Sequence, residues 1–192
     1  MKIILASSSI RRQQLLKRLV DDFDIVESGF VENSIKYNGD CKTYVMELAL
    51  GKANDVCNKL EDKQLIIIGC DTVVYFNGKI LGKPKDREEA FHMLKSLSGN
   101  EHQVYTGLAV INKFSGIVRQ EFVKTSVRFS NISNNEIEKY LKKEEYGDKA
   151  GAYGIQGYAG IFIPEIRGCY YNVVGLPLNR LYKMLIGMGV NL

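Results

Sequence analysis

Asp71 sits inside an apolar, β-rich run, Leu65-Ile66-Ile67-Ile68-Gly69-Cys70-Asp71-Thr72-Val73-Val74. A lone carboxylate is costly to bury, so this one must be paired, bound to a metal ion, or placed at a bend that opens on a cleft. The plain alternative is an acid that ends a strand at a turn. Lys52 raises the matching question for a cation. At about 100° per residue, Val45, Leu48, Ala49, Ala53 and Val56 make one apolar stripe, and Lys52 falls inside it. Its ammonium either snorkels outward past that stripe or is aimed into a cleft at an anion. Lys83, in Gly82-Lys83-Pro84, is held in extended backbone by the proline that follows. Many lysines so placed are merely solvated.

Two further segments carry chemistry of the same kind. Ser7-Ser8-Ser9-Ile10-Arg11-Arg12 opens a helix with no acid in its first turn and two arginines instead, a placement costing roughly 0.3–1 kcal/mol each when exposed. A bound anion reverses that cost, because backbone N–H groups, serine hydroxyls and guanidinium forks then meet it together. A serine cap followed by solvated arginines is the competing reading. The stretch Asp148-Lys149-Ala150-Gly151-Ala152-Tyr153-Gly154-Ile155-Gln156-Gly157 lacks the spacing of a dinucleotide-binding loop. Its glycines still permit close approach of backbone to a ligand. Gln156 offers an amide donor and acceptor side by side, the complement of one edge of a pyrimidine base. Two cationic sites, buried-type acids and a permissive loop point together to a polyphosphate ligand with a metal ion.

The elements that must position these residues alternate along the chain. Residues 2–6 read as a buried strand. Serines at 7–9 are N-cap candidates for a helix over 11–19. A second helix runs over 42–60, and residues 64–76 form a strand that turns at Asn77-Gly78 into 79–81. Asp86 with Glu89 opens a helix to Leu97, and Ser133 with Glu136 has the spacing of a capping box. Paired strands are expected at 104–111 and 117–129. The glycine-rich stretch 147–160 follows, then strands at 161–166 and 170–174, and a closing helix over 177–187. Interleaved helices and strands with hairpins predict an α/β fold built on a mixed, twisted sheet flanked by helices.

Composition removes several alternatives. The 192 residues favour one domain, and 45% hydrophobic residues suffice for a core without disulfide or metal staples. A net charge of +4, spread along the chain, argues against a nucleic-acid partner, which calls for a dense basic stripe. Cys41, Cys57, Cys70 and Cys169 form no CxxC pair, and His92 and His102 are the only histidines, so a zinc cluster lacks ligands. Lone cysteines, too short an N-terminal apolar run for a signal peptide, and no apolar stretch long enough for a bilayer predict a cytoplasmic protein without a membrane partner.

Read in order, several blocks resemble the Maf family of nucleotide pyrophosphatases. They are Ser7-Ser8-Ser9-Ile10-Arg11-Arg12, Leu48-Ala49-Leu50-Gly51-Lys52-Ala53, Asp71-Thr72-Val73-Val74 and Gly78-Lys79-Ile80-Leu81-Gly82-Lys83-Pro84. Leu97-Ser98-Gly99, His102-Gln103-Val104, Thr106-Gly107, residues 148–157 and Asn172-Val173-Val174-Gly175-Leu176-Pro177-Leu178 continue the series over essentially the whole chain. The resemblance implies a single domain over 1–192, like the inosine triphosphatases, with two lobes around a central cleft. It implies hydrolysis of a nucleoside triphosphate to the monophosphate and pyrophosphate with Mg²⁺ or Mn²⁺. Asp71 matches the family's catalytic acid. Arg11, Thr72 and Gln156 match positions tied to substrate choice, and Ser8, Arg12, Glu32, Lys52 and Lys83 match cleft residues.

The form of residues 148–157 is similar to the branch acting on dTTP and UTP, and unlike the branch acting on 7-methyl-GTP. In the expected mechanism Asp71 takes a proton from water attacking the α phosphorus. Glu32, with Asp71, holds the metal ion. Arg11, Arg12, Lys52 and Lys83 spread the charge developing on the phosphates, with Ser8 among the phosphate contacts. The chain departs from the family where Ile10 replaces a proline, where Cys70 replaces a small residue, and at Cys169-Tyr170-Tyr171. Rival readings are the same reaction on another or modified nucleotide, and a non-enzymatic regulator of cell division. A homodimer is left open.

Overall fold

Ile3, Ile4 and Leu5 leave strand β1 (Lys2–Leu5) without a solvent face, and all three are buried, as a strand covered on both sides requires. The computed structural model describes residues 1–192. The chain gathers into two compact units: Met1–Asp71, Thr106–Val123 and Gly175–Leu192 form the first, Thr72–Tyr105 and Lys124–Val174 the second. Strand order in the sheet is β2-β1-β3-β5-β6-β7, with β4 paired to β3. β1 runs parallel to both β2 (Asp24–Ile25) and β3 (Leu65–Phe76). β3 pairs antiparallel with β4 (Lys79–Leu81), and β6 (Ile117–Arg128) with β7 (Glu165–Arg167). The sheet is therefore mixed and lies among helices, as the α/β pattern predicts.

In the first unit, helix α2 (Cys41–Lys59) starts at Asp40, whose carboxylate accepts from Lys42 N at 3.0 Å and Thr43 N at 3.4 Å. Ala49, Ala53 and Val56 of its apolar stripe join Ile4, Ala6, Leu65, Ile67, Ala109 and Ile111 in one core. Two glycines let the helix come very close to the sheet. A Cβ on Gly69 of β3 would lie 2.1 Å from Ala49 O, and one on Gly107 of β5 (Glu101–Asn112) 2.0 Å from Val45 O. Helix α1 (Ile10–Leu16) is shorter than the pattern over 11–19 suggests, because residues 17–19 tighten into turns with Arg18 N on Leu15 O and Leu19 N on Leu16 O. The closing helix α6 (Leu178–Ile186) forms as expected and ends at Gly187.

In the second unit, Asn77 and Gly78 both have positive φ, 46° and 79°, the geometry a two-residue hairpin needs. Helix α3 (Arg87–Leu97) is capped by Asp86, and α4 (Asn134–Leu141) by the full capping box of Ser133 and Glu136. The two pack around Leu94, Leu97, Ile137 and Tyr140, beside Phe129, Tyr153 and Phe162.

Two segments expected as strands, 161–166 and 170–174, fold differently. Residues 161–166 begin in a 3-10 turn, Tyr158–Phe162, and only Glu165–Arg167 pairs as β7. Residues 170–174 form a single helical turn, α5 (Tyr170–Val174). The β-branched pair Val173-Val174 favours a strand locally, but tertiary bonds override it. Buried Asn172 donates to Val104 O at 3.0 Å and to Thr125 Oγ1 at 2.9 Å, and that hydroxyl also accepts from Cys169 N at 3.0 Å. No helix is long and apolar enough to cross a membrane, and all four cysteines are free.

Candidate active site

Side chains two apart on a strand share a face. Gly69 faces α2, so Asp71 faces α2 as well. The contact at Ala49 fixes the height of the helix above the strand, and Lys52, one turn further on, then meets Asp71. Lys52 Nζ lies 2.5 Å from Asp71 Oδ1 and 2.7 Å from Glu32 Oε1. Asp71 is 7% exposed, and the Lys52 side chain 14%. The ammonium is therefore turned inward onto two carboxylates and does not snorkel. Burial pulls its pKa down, and the Arg12 charge adds to that pull. The Asp71 charge and the hydrogen bonds to Asp71 and Glu32 outweigh both, leaving Lys52 above the ordinary lysine value. Removing Lys52 takes the cation from the buried Asp71 carboxylate, at a cost of about 3–5 kcal/mol, whereas removing Asp71 leaves Lys52 paired with Glu32.

Arg12 is held from two sides. Its Nε donates to Gly175 O at 3.0 Å, and one terminal nitrogen donates to the buried Ser7 Oγ at 3.4 Å. The same Gly175 carbonyl accepts from Cys70 Sγ at 3.0 Å. Burial pushes the Cys70 thiol up, so it remains a protonated donor. Tyr44, two turns before Lys52 on α2, also feels the cluster. Burial, then the Asp71 and Glu32 carboxylates, raise its phenol above the usual value.

Within the serine-rich turn, Ser9 makes no side-chain cap, and Ser8 is exposed with its carbonyl accepting from Gln13 Nε2. Arg11 stands beside Arg12 in the first turn of α1, where no acid is present. Thr72, Lys83 and Gln156 belong to the second unit. There Gly151 N donates to Gly82 O at 3.0 Å, which ties the Lys83 segment to the glycine-rich stretch. Pro84 is buried while Lys83 is exposed. Gly151 needs its positive φ of 68°, and a Cβ there would press on Val74 at 3.0 Å. Gln156 occupies an exposed turn closed by Gly157 N on Gly154 O at 3.1 Å. Glu145 pins that turn by accepting from Tyr158 N at 2.9 Å, and a Cβ on Gly157 would collide with its carboxylate at 2.1 Å.

A family profile described as Maf-like protein matches residues 2–188. The chain belongs to the Maf family. It is 61% identical to the dTTP/UTP pyrophosphatase of Clostridium kluyveri over 192 residues, covering 100% of both chains. Identity to the dTTP/UTP pyrophosphatase of Clostridium novyi is 58%, again over 100% of both. The solved Ham1 protein of Staphylococcus aureus superposes with a TM-score of 0.55 at 15% identity, covering 98% of this chain and 100% of that one. That likeness is one of fold.

In this Maf chain the departures from the family pattern are accommodated. Ile10 begins α1 largely exposed, where a proline's fixed φ is dispensable. Cys70 uses its extra atom to donate to Gly175 O. Three groups at or beside the candidate site escaped sequence reasoning: Tyr44, the Gly175 carbonyl, and Glu145, which pins the Gln156 turn. Asn172 and Gly175 lie in a recognisable block, but nothing local marks a backbone carbonyl as an anchor.

The donor set suits a hard divalent cation. No group of three or more His, Cys, Asp or Glu side chains gathers anywhere in the chain. Glu32 and Asp71 converge on one ammonium nitrogen, and one or two carboxylates completed by substrate phosphates is the usual Mg²⁺ arrangement.

Proposed function

We propose that this Maf protein hydrolyses dTTP and UTP between the α and β phosphates, giving the nucleoside monophosphate and pyrophosphate. The observation that carries the reading is the buried Lys52–Asp71 pair with Glu32 and Arg12 beside it. The substrate class is supported by the Clostridium dTTP/UTP pyrophosphatases at 58–61% identity. The family match over 2–188 supports treating residues 1–192 as one catalytic domain. Four free cysteines support a cytoplasmic setting.

In this mechanism Asp71 accepts the proton of the water that attacks the α phosphorus. Lys52 stays an ammonium at working pH and, with Arg12, offsets charge developing on the phosphoryl oxygens. Ser7 and the Gly175 carbonyl keep the Arg12 guanidinium from swinging away. Arg11 and Ser8 extend the anion contacts along the turn before α1, and Lys83 supplies a further cation. Gln156 reads the pyrimidine edge, and Arg11 and Thr72 are the other two positions of substrate choice. Mg²⁺ or Mn²⁺ held by Glu32 and Asp71 would polarise the phosphoryl oxygens when bound.

Hydrolysis of UTP in ¹⁸O-labelled water tests the reading. Label in UMP is the expected result, and label in pyrophosphate, or orthophosphate as the first product, refutes attack at the α phosphorus. In the same assay Asp71→Asn should lose on the order of 10²–10⁴ in kcat. Retained turnover would remove Asp71 as the base.

A further inference from the structure

The Glu32 side chain is 54% exposed where it meets Lys52 at 2.7 Å, so the backbone of its segment decides where that carboxylate arrives. The restraint on its segment comes from α2. Gly51, Asp55 and Lys59 recur every fourth residue and so share one helix face. Asp55 Oδ2 accepts from Gly29 N at 2.8 Å, Ser28 Oγ at 3.1 Å and Lys59 Nζ at 2.7 Å. Ser28 Oγ accepts in turn from Phe30 N at 3.1 Å. The Phe30 ring then lies so close on Gly51 that a Cβ there would be 2.4 Å from its Cζ. Two residues on, the 3-10 turn Glu32–Ser34 closes with Ser34 N on Val31 O, and Glu32 meets Lys52. Lys52 is one residue past Gly51, so the groove that receives the ring also fixes where the carboxylate arrives.

We propose that Asp55 and the Phe30–Gly51 contact form a latch that positions Glu32 as the second carboxylate beside Asp71, and that this latch sets the affinity of the divalent cation site without entering the chemical step. The inference rests on the metal-binding part of the function proposed above. Asp55 is a positioning residue here, and it acts through Glu32. Losing an outer partner of a metal ligand weakens binding roughly 10–100-fold, whereas a residue absent from the transition state leaves kcat largely intact once the site is filled.

Mn²⁺ titration followed by electron paramagnetic resonance reads the cation affinity of the intact protein directly. Asp55→Ala should raise the Mn²⁺ Kd roughly tenfold, with kcat on UTP at saturating Mn²⁺ held to within about twofold. Phe30→Leu takes the ring off Gly51 while sparing Asp55, and should move Kd in the same direction. Because the latch works only through Glu32, adding Asp55→Ala to Glu32→Gln should weaken Mn²⁺ no further. An unchanged Kd in folded Asp55→Ala and Phe30→Leu proteins overturns the latch, and so does a full additive loss in the double variant. Wild-type Mn²⁺ affinity in Glu32→Gln alone overturns the carboxylate assignment itself, and the latch falls with it.

Discussion

Replacing Gly69 by alanine places a methyl group 2.1 Å from Ala49 O, 2.8 Å from Ala53 Cβ and 2.9 Å from Ala53 N. All three atoms belong to the α2 backbone or to a Cβ bonded to it, so no side chain can swing aside. The helix must retreat from β3 by about 1 Å, and a displacement of that size at a reacting group costs on the order of 10²-fold in rate. Lys52 lies one turn beyond Ala49 and next to Ala53, so it moves with the helix, while Asp71 stays in the strand. The 2.5 Å contact between them is the one most directly stretched. Overpacking of a filled core costs about 1–3 kcal/mol, so the variant should fold with a lowered urea midpoint. The expected outcome is a kcat on dTTP and UTP lower by about 10²-fold, measured by pyrophosphate release at a temperature where the variant is fully folded. Wild-type stability would mean that Gly69 does not set the height of α2. Lowered stability with an unchanged kcat would mean that the Lys52–Asp71 geometry is not what the rate depends on.

UTP should be cut faster than CTP, whose pairing edge reverses donor and acceptor, and Gln156→Ala should shrink that ratio more than it lowers the maximal rate on UTP. An unaltered ratio of kcat/KM values would place base recognition elsewhere. His102 is buried against Tyr153, with its Nε2 2.7 Å from the phenol oxygen, and burial lowers its pKa from 6.5 to about 4. Below pH 6.5 the unfolded chain therefore binds a proton that the folded chain refuses. Stability from this residue is whole above pH 6.5, falls by about 3 kcal/mol as the pH drops to about 4, and then levels off. His102→Gln should flatten urea midpoints over that window, and an undiminished slope in the variant would assign the acid sensitivity to other groups.

Much of the local architecture is written in the sequence. Asp40 aside, the caps at Asp86 and Ser133, the Asn77-Gly78 turn and the closing helix follow from chemistry within four residues, where a side chain and its backbone partner are always neighbours. The apolar stripe that singles out Lys52 is legible for the same reason, since helical period alone places it on the buried face. The nature of its partner is not legible. Asp71 is 19 residues away in the chain, and the Gly175 carbonyl that anchors Arg12 is 163 away. Glu32 lies in a segment with no periodic pattern, delivered to the site by a ring lying on a glycine. Residues 170–174 show the limit most directly. Val173 and Val174 carry a strand preference worth at most about 1 kcal/mol, while the buried Asn172 amide, without its bonds to Val104 and Thr125, would forfeit about 1–3 kcal/mol. The sequence by itself determined which residue types could bind and cleave a polyphosphate, because that follows from side-chain chemistry. Only the tertiary structure decided which of them share a site, because that depends on glycines close enough to the α2 backbone to bring Asp71, Lys52 and Glu32 within hydrogen-bond reach.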